Sequence, residues 1–230
     1  MINPYAPASG WWHRALLVLG FTTGLATAAS AQWTPQNTNF PIEDTGIASI
    51  SIVDANTVWA VGYDGTDPTN PYNGFTRTTN GGATWTASTI PAAVGLNFAN
   101  VSAVSATTAW VAMYDATSGG GGLFKTTNGG TSWTPQNVGA FPAALGGFVN
   151  GIIAFDANTA VAVGDPTNGS FEIHRTTNGG TTWTRVASTN IPAPQAGEFG
   201  ILGTLVRVGN TLWFGTNAGR VLRSTNQGQT

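Results

Sequence analysis

The sequence predicts an all-β chain of four-stranded antiparallel units repeated about every fifty residues. Three observations carry that prediction. A turn segment is written three times and begun a fourth, and a hairpin of two apolar strands recurs in register with it. The composition suits many short strands and tight turns, with 31 glycines and charged residues at only 8% of the 230.

The turn segment sets the period. Its copies run from Thr78 to Trp85, Thr126 to Trp133 and Thr176 to Trp183, with a fourth from Ser224 to Thr230. Asn80, Asn128, Asn178 and Asn226 are 48, 50 and 48 positions apart. Asn followed by glycine supplies backbone that tolerates positive φ, which is tight-hairpin chemistry. The short hydroxyls of Thr78, Thr84, Thr126, Ser132, Thr176, Thr182, Ser224 and Thr230 are placed to bond nearby backbone. Gly82, Gly130, Gly180 and Gly228 hold one position in the four copies, and Trp85, Trp133 and Trp183 another in three. The tryptophan opens the next strand and is expected to lay its ring across a neighbouring surface.

The hairpin repeats as 50–62, 101–113 and 152–164, with a shorter version at 205–215. Each reads as a buried strand, a tight turn and a second apolar strand. A third strand follows, and it ends on a basic residue directly before the turn segment: Arg77, Lys125, Arg175 and Arg223. Four cations at one repeat position either share a positive surface or pair locally with turn carbonyls and carboxylates. The unit is therefore four strands, with complete units near 47–88, 98–137 and 149–188. Three further strands are expected from 201 to 224. A lone outer strand is expected over 32–37, because Trp33-Thr34-Pro35-Gln36-Asn37 repeats Trp133-Thr134-Pro135-Gln136-Asn137. That makes sixteen strands, or about four units.

The pattern Ser/Thr-x-Asn-x-Gly-x-Thr/Ser-Trp resembles the Asp-box, or BNR repeat, of sialidases, sortilin-type receptors and Ycf48-like assembly factors. The resemblance covers about 32–230 and implies a β-propeller of four-stranded antiparallel blades. All four copies carry Asn where the family usually has Asp, which keeps the turn-forming oxygen and loses the charge. In that family the box lies at the blade periphery, away from the usual ligand site. Ycf48-like relatives also place basic residues before the box, on a face implicated in partner binding. Such propellers more often have six to eight or more blades, so the chain is read as part of a propeller incomplete at its C-terminal side.

Residues 1–31 read as a secretory signal. His13-Arg14 precedes the apolar run from Ala15 to Phe21, and Ala29-Ser30-Ala31 is an Ala-x-Ala cleavage site. The run is too short for a membrane span, and none is expected after cleavage. Lys+Arg is 8 against Asp+Glu 10, which gives no electrostatic case for nucleic acid. Without cysteine there is neither a disulfide nor a thiolate metal site.

Catalytic residues are not found. The Arg-Ile-Pro signature of sialidases is absent, since Thr89-Ile90-Pro91 and Asn190-Ile191-Pro192 lack the arginine. Glycoside hydrolysis needs two carboxyls at a defined separation. Asp64, Asp67, Asp115, Asp165, Glu172 and Glu198 are the candidates, and the 51- and 50-residue spacing of Asp64, Asp115 and Asp165 reads as turn work. His174 stands in a strand. No cofactor motif or metal-ligand spacing occurs. The expected role is binding or assembly, with a protein or glycan held by the loops 63–73, 114–122 and 165–170, where Tyr63, Tyr72 and Tyr114 stand. The rival is a glycoside hydrolase with its catalytic residues elsewhere in a longer chain.

Overall fold

The computed structural model describes residues 33–67, 70–136 and 139–230, so the signal read over 1–31 lies outside it. All the sheets belong to the compact unit Gln36–Thr230. β1 (Thr45–Ile52), β2 (Val58–Asp64), β3 (Gly74–Thr78) and β4 (Thr86–Thr89) pair antiparallel in that order. β5 (Asn97–Ala103), β6 (Ala109–Tyr114), β7 (Gly121–Thr126) and β8 (Thr134–Gln136) form the second blade. β9 (Val149–Ala154), β10 (Ala160–Thr167), β11 (Ser170–Thr176) and β12 (Thr184–Arg185) form the third. β13 (Val206–Val208), β14 (Thr211–Gly215) and β15 (Val221–Ser224) form a three-stranded fourth sheet.

The first turn of each of the first three blades is closed by one side chain. Asp54 Oδ1 accepts the N–H groups of Asn56 and Thr57, Ser105 Oγ those of Thr107 and Thr108, and Asp156 Oδ1 those of Asn158 and Thr159. These local bonds satisfy turn backbone that the ladder cannot reach. The fourth blade turns more tightly through Gly209, at φ 56°.

The core lies between the blades. Period-2 alternation sends Val111 and Met113 of β6 against Trp59 and Phe75 of the first blade. The intervening Trp110 and Ala112 face Ile152 and Ala162 of the third. Val161 and Val163 likewise pack on Leu205 and Phe214. Both faces of β6 and β10 are therefore covered, which is why these strands read as unbroken apolar runs.

The inner strands are also tied together by polar side chains. Ser51 Oγ accepts the N–H of Ala103 at 2.8 Å, and Ser102 Oγ that of Ala154 at 2.9 Å. Asn100 bonds both the N–H and the carbonyl of Ile152, each at 2.8 Å.

One expected element is not formed. Residues 33–40 include no strand, and Trp33 is 98% exposed. The described residues thus hold fifteen strands rather than sixteen. A strand needs a neighbouring edge to bond its backbone, and side-chain bonds hold this segment instead. Asn39 Nδ2 donates to the Trp85 carbonyl at 2.8 Å, and Thr76 Oγ1 to the Thr38 carbonyl at 2.8 Å.

Candidate functional site

The strand registers give the blades two distinct ends. In the first blade Val58 pairs with both Ile52 and Thr78, so the Asp54 turn and the Asn80 turn share one end. Asp64 pairs with Thr45 at the other, where Tyr63 stands. The second blade repeats this, with Tyr114 opposite Asn97 at that same end.

At the Asn end one network is built four times. The Thr78 hydroxyl donates to Asn80 Oδ1 at 2.9 Å and accepts the N–H of Gly82 at 3.0 Å. Asn80 Nδ2 donates to Thr84 Oγ1, and the Thr84 N–H returns to Asn80 Oδ1, both at 2.9 Å. Thr126–Asn128–Gly130–Ser132, Thr176–Asn178–Gly180–Thr182 and Ser224–Asn226–Gly228–Thr230 make the same bonds. The side chain thus uses both its acceptor and its donor, whereas a carboxylate there could bond the same hydroxyl only by accepting its proton. Gly130 has φ 86°, and a Cβ there would strike the Phe75 ring of the preceding blade.

The turn tryptophans cross between blades. Trp133 lies edge-on to Trp59 at 6.1 Å between centroids, and Trp183 to Trp110 at 5.8 Å. Trp85 of the first blade is partly exposed.

The basic residues belong to these same contacts. Arg77 lies 5.1 Å from the Trp59 centroid and donates to the Ala106 carbonyl of the next blade. Lys125 lies 4.3 Å from that of Trp110 and donates to the Ala157 and Gly179 carbonyls at 2.8 and 2.9 Å. Arg175 donates to the Gln227 carbonyl at 3.1 Å. Burial lowers the pKa of Arg77 and of Lys125. Arg223 repeats the stacking, 5.9 Å from the Trp213 centroid, and is exposed.

At the other end, Tyr63 and Tyr114 come together across two blades. With Asn97, Phe98 and Leu202 they line a cavity of about 300 Å³ that holds no carboxylate, histidine or cation. Tyr63 is 37% exposed; Tyr114 is more buried, lies 4.8 Å from the Phe148 ring, and has its pKa raised by burial. Asn97 is 5% exposed, and its Oδ1 accepts the N–H of Tyr72 at 3.2 Å. Its Nδ2, though buried, meets no acceptor. A buried donor without a partner costs free energy. Tyr72 is buried against Phe40 and adds nothing to the surface.

The carboxylates do other work. Asp64 accepts from Thr66 and Asn70, which lowers its pKa to about 2. Asp115 accepts from Ser118, with the same direction of shift. Asp165 binds the Gly200 N–H at 2.9 Å, and burial raises its pKa. Glu172 is buried between His174 at 2.6 Å and Arg185 at 3.1 Å, and burial lowers the pKa of His174. Glu198 accepts from Thr216 at 2.6 Å and pairs with Arg220 at 2.9 Å. None of these lines the tyrosine cavity.

Sequence reasoning named Tyr63 and Tyr114 and missed Asn97, Phe98 and Leu202. The available signal was an amide opening an otherwise apolar inner strand, Asn97-Phe98-Ala99, where only a bonded or ligand-facing polar group belongs.

No protein-family model matches the chain, and no curated protein sequence matches it. Solved structures do. YCF48 from Cyanidioschyzon merolae is 20% identical with TM-score 0.52, over 82% of this chain and 58% of that one. The GH74 xyloglucanase from Xanthomonas campestris is 16% identical with TM-score 0.57, over 80% and 28%. The Niastella koreensis GH74 enzyme is 21% identical with TM-score 0.53, over 80% and 23%. The chain therefore spans little more than half of the first and about a quarter of the other two. At such identities the likeness speaks for the fold. The chain is all-β, and its four antiparallel sheets are blades of a β-propeller.

Proposed function

We propose that this protein is an exported, non-catalytic β-propeller module that binds a protein or glycan partner. The observation that carries the reading is the Tyr63–Tyr114 cavity, which is aromatic, free of ionisable groups other than the tyrosines, and lined by Asn97, whose Nδ2 has no acceptor. Aromatic rings offer flat apolar area at small entropic cost, and an uncharged ligand with an acceptor oxygen complements the amide. Export rests on the basic, apolar and Ala-x-Ala pattern of residues 1–31, with cleavage after Ala31 and residence outside the cell or in its envelope. The repeat is that of an Asp-box propeller, and the chain is read as part of a larger ring.

Peptide and glycan arrays probed with the full chain, beside hydrolysis assays on polymeric glucans, test the reading. The expected result is binding without turnover, weakened about tenfold or more by Tyr114→Ala or Asn97→Ala. Turnover that needs two carboxylates would replace it with the glycoside-hydrolase reading. Full binding by both variants would remove the site.

A further inference from the structure

The chain carries six Asn-Gly pairs, beginning at Asn73, Asn80, Asn128, Asn150, Asn168 and Asn178. Such a pair has a reaction open to it, because glycine has no Cβ to keep its backbone nitrogen from the preceding asparagine Cγ. Whether the reaction runs depends on what holds the amide and what holds the nitrogen.

Five of the six are held. Asn80, Asn128 and Asn178 use both ends of the amide in the turn network. The nitrogens that would attack them belong to Gly81, Gly129 and Gly179, and these donate to the carbonyls of Asn56, Thr107 and Asn158 at 3.0, 2.9 and 2.9 Å. Asn73 Nδ2 donates to the Ile90 carbonyl at 2.8 Å, and Gly74 is paired with Thr89 across β3 and β4. Asn150 is 2% exposed, and its Nδ2 donates to the Gly200 carbonyl at 3.1 Å.

Asn168 differs on each count. It and Gly169 form the two-residue tip between β10 and β11, with Thr167 paired to Ser170 behind them. Both are exposed, at φ 52° and 78°. Among the described residues nothing bonds the Asn168 side chain or the Gly169 N–H. Nothing lies within 4 Å of where a Gly169 Cβ would stand. Arg185 Nη2 holds only the base of the tip, donating to the Thr167 and Ser170 carbonyls at 3.2 and 3.3 Å. Asn168 must swing out of its left-handed turn before its Cγ meets the Gly169 nitrogen, and no side-chain bond resists that local opening.

We propose that Asn168 is a self-modification site, converting without an enzyme to aspartate and isoaspartate. The Gly169 nitrogen gives up its proton and bonds to Asn168 Cγ. The Cγ–Nδ2 bond breaks, and Nδ2 leaves as ammonia with that proton, which closes a cyclic imide. Water then adds to either imide carbonyl and opens the ring, leaving a carboxylate and restoring an amide N–H. Ammonia leaves and water enters, so no oxidant or cofactor is needed. Either product places a negative charge between the Thr167 and Ser170 carbonyls that Arg185 clasps, and that side chain is 37% exposed. Isoaspartate also carries the main chain through Cβ, so the lengthened tip no longer closes as a two-residue turn.

Peptide mass spectrometry of the full chain, aged in mildly alkaline buffer at physiological temperature, is the test, with fragmentation that separates aspartate from isoaspartate. Conversion at Asn168 is expected to be at least about tenfold faster than at any of the other five. In urea, where the folded contacts are gone, the six rates should converge. Asn168→Gly, which suits the positive φ, should remove the fast-forming acidic species on isoelectric focusing and leave the circular dichroism spectrum unchanged. Conversion at Asn80, Asn128 or Asn178 as fast as at Asn168 in the folded chain would overturn the proposal. So would an Asn168 that stays intact while the unfolded chain converts, or an acidic species that Asn168→Gly forms as fast as the wild type.

Discussion

The Asn end and the tyrosine end of the blades are built on opposite plans. At the Asn end every blade repeats the same side-chain bonds, so Asn80, Asn128, Asn178 and Asn226 are interchangeable in geometry. At the tyrosine end the first two blades share an aspartate turn and the third departs from it. The first carries an Asp64 turn, the second an Asp115 turn, and the third an Asp165 that ties the loop to Gly200. The lesson is that the repeat holds the stack together at one end and leaves the other free to carry a ligand site.

Breaking the Asn end is expected to cost most. Trp110→Ala removes a fully buried ring shared by two blades and should destabilise by about 3–5 kcal/mol, read as a lower denaturation midpoint. Asn128→Ala leaves the Ser132 N–H and both hydroxyls without their partner. A loss of about 1–3 kcal/mol is expected, with the sheets otherwise intact by circular dichroism. A loss no larger than at an exposed surface site would end the claim that the Asn network is structural.

A pH titration sharpens the contrast. Burial holds the folded-state pKa of His174 below its ordinary 6.5, so between those two values the unfolded chain binds more protons. Stability should therefore fall as pH drops below about 6.5, and His174→Gln should flatten that slope. Asp64 behaves in the same sense further down, because its pKa is depressed from 3.8 to about 2. Its contribution is present above 3.8 and lost as pH falls through about 2.

The smallest effect is expected at the tyrosine end. Tyr63 is 37% exposed and joins no core cluster, so Tyr63→Ala should change stability by less than about 0.5 kcal/mol while weakening ligand binding. A large loss of stability would mean that the cavity is packing rather than a site.

The units were legible in the sequence because a turn with Asn and two glycines is a local device, chosen by residues within a few positions of one another. Their bounds follow the sheets closely, from β1 at Thr45 to β15 at Ser224. Of the outer strand expected at 32–37, the described residues 33–37 form none, because pairing depends on which edge lies beside the chain, and nothing local specifies that. The basic residues were legible as a series, but their role between two readings was not. A carbonyl such as that of Gly179, 54 positions from Lys125, becomes its partner only when blades stack.

What the residues determined on their own was periodicity: where the chain turns, where it runs extended, and which positions alternate toward an apolar interior. What the folded molecule alone decided was adjacency across blades, including the meeting of Tyr63 with Tyr114 and the reach of Lys125 to the Gly179 carbonyl. Local backbone preference acts over a few bonds, whereas a shared cavity or interface forms only once sheets distant in sequence are brought into contact.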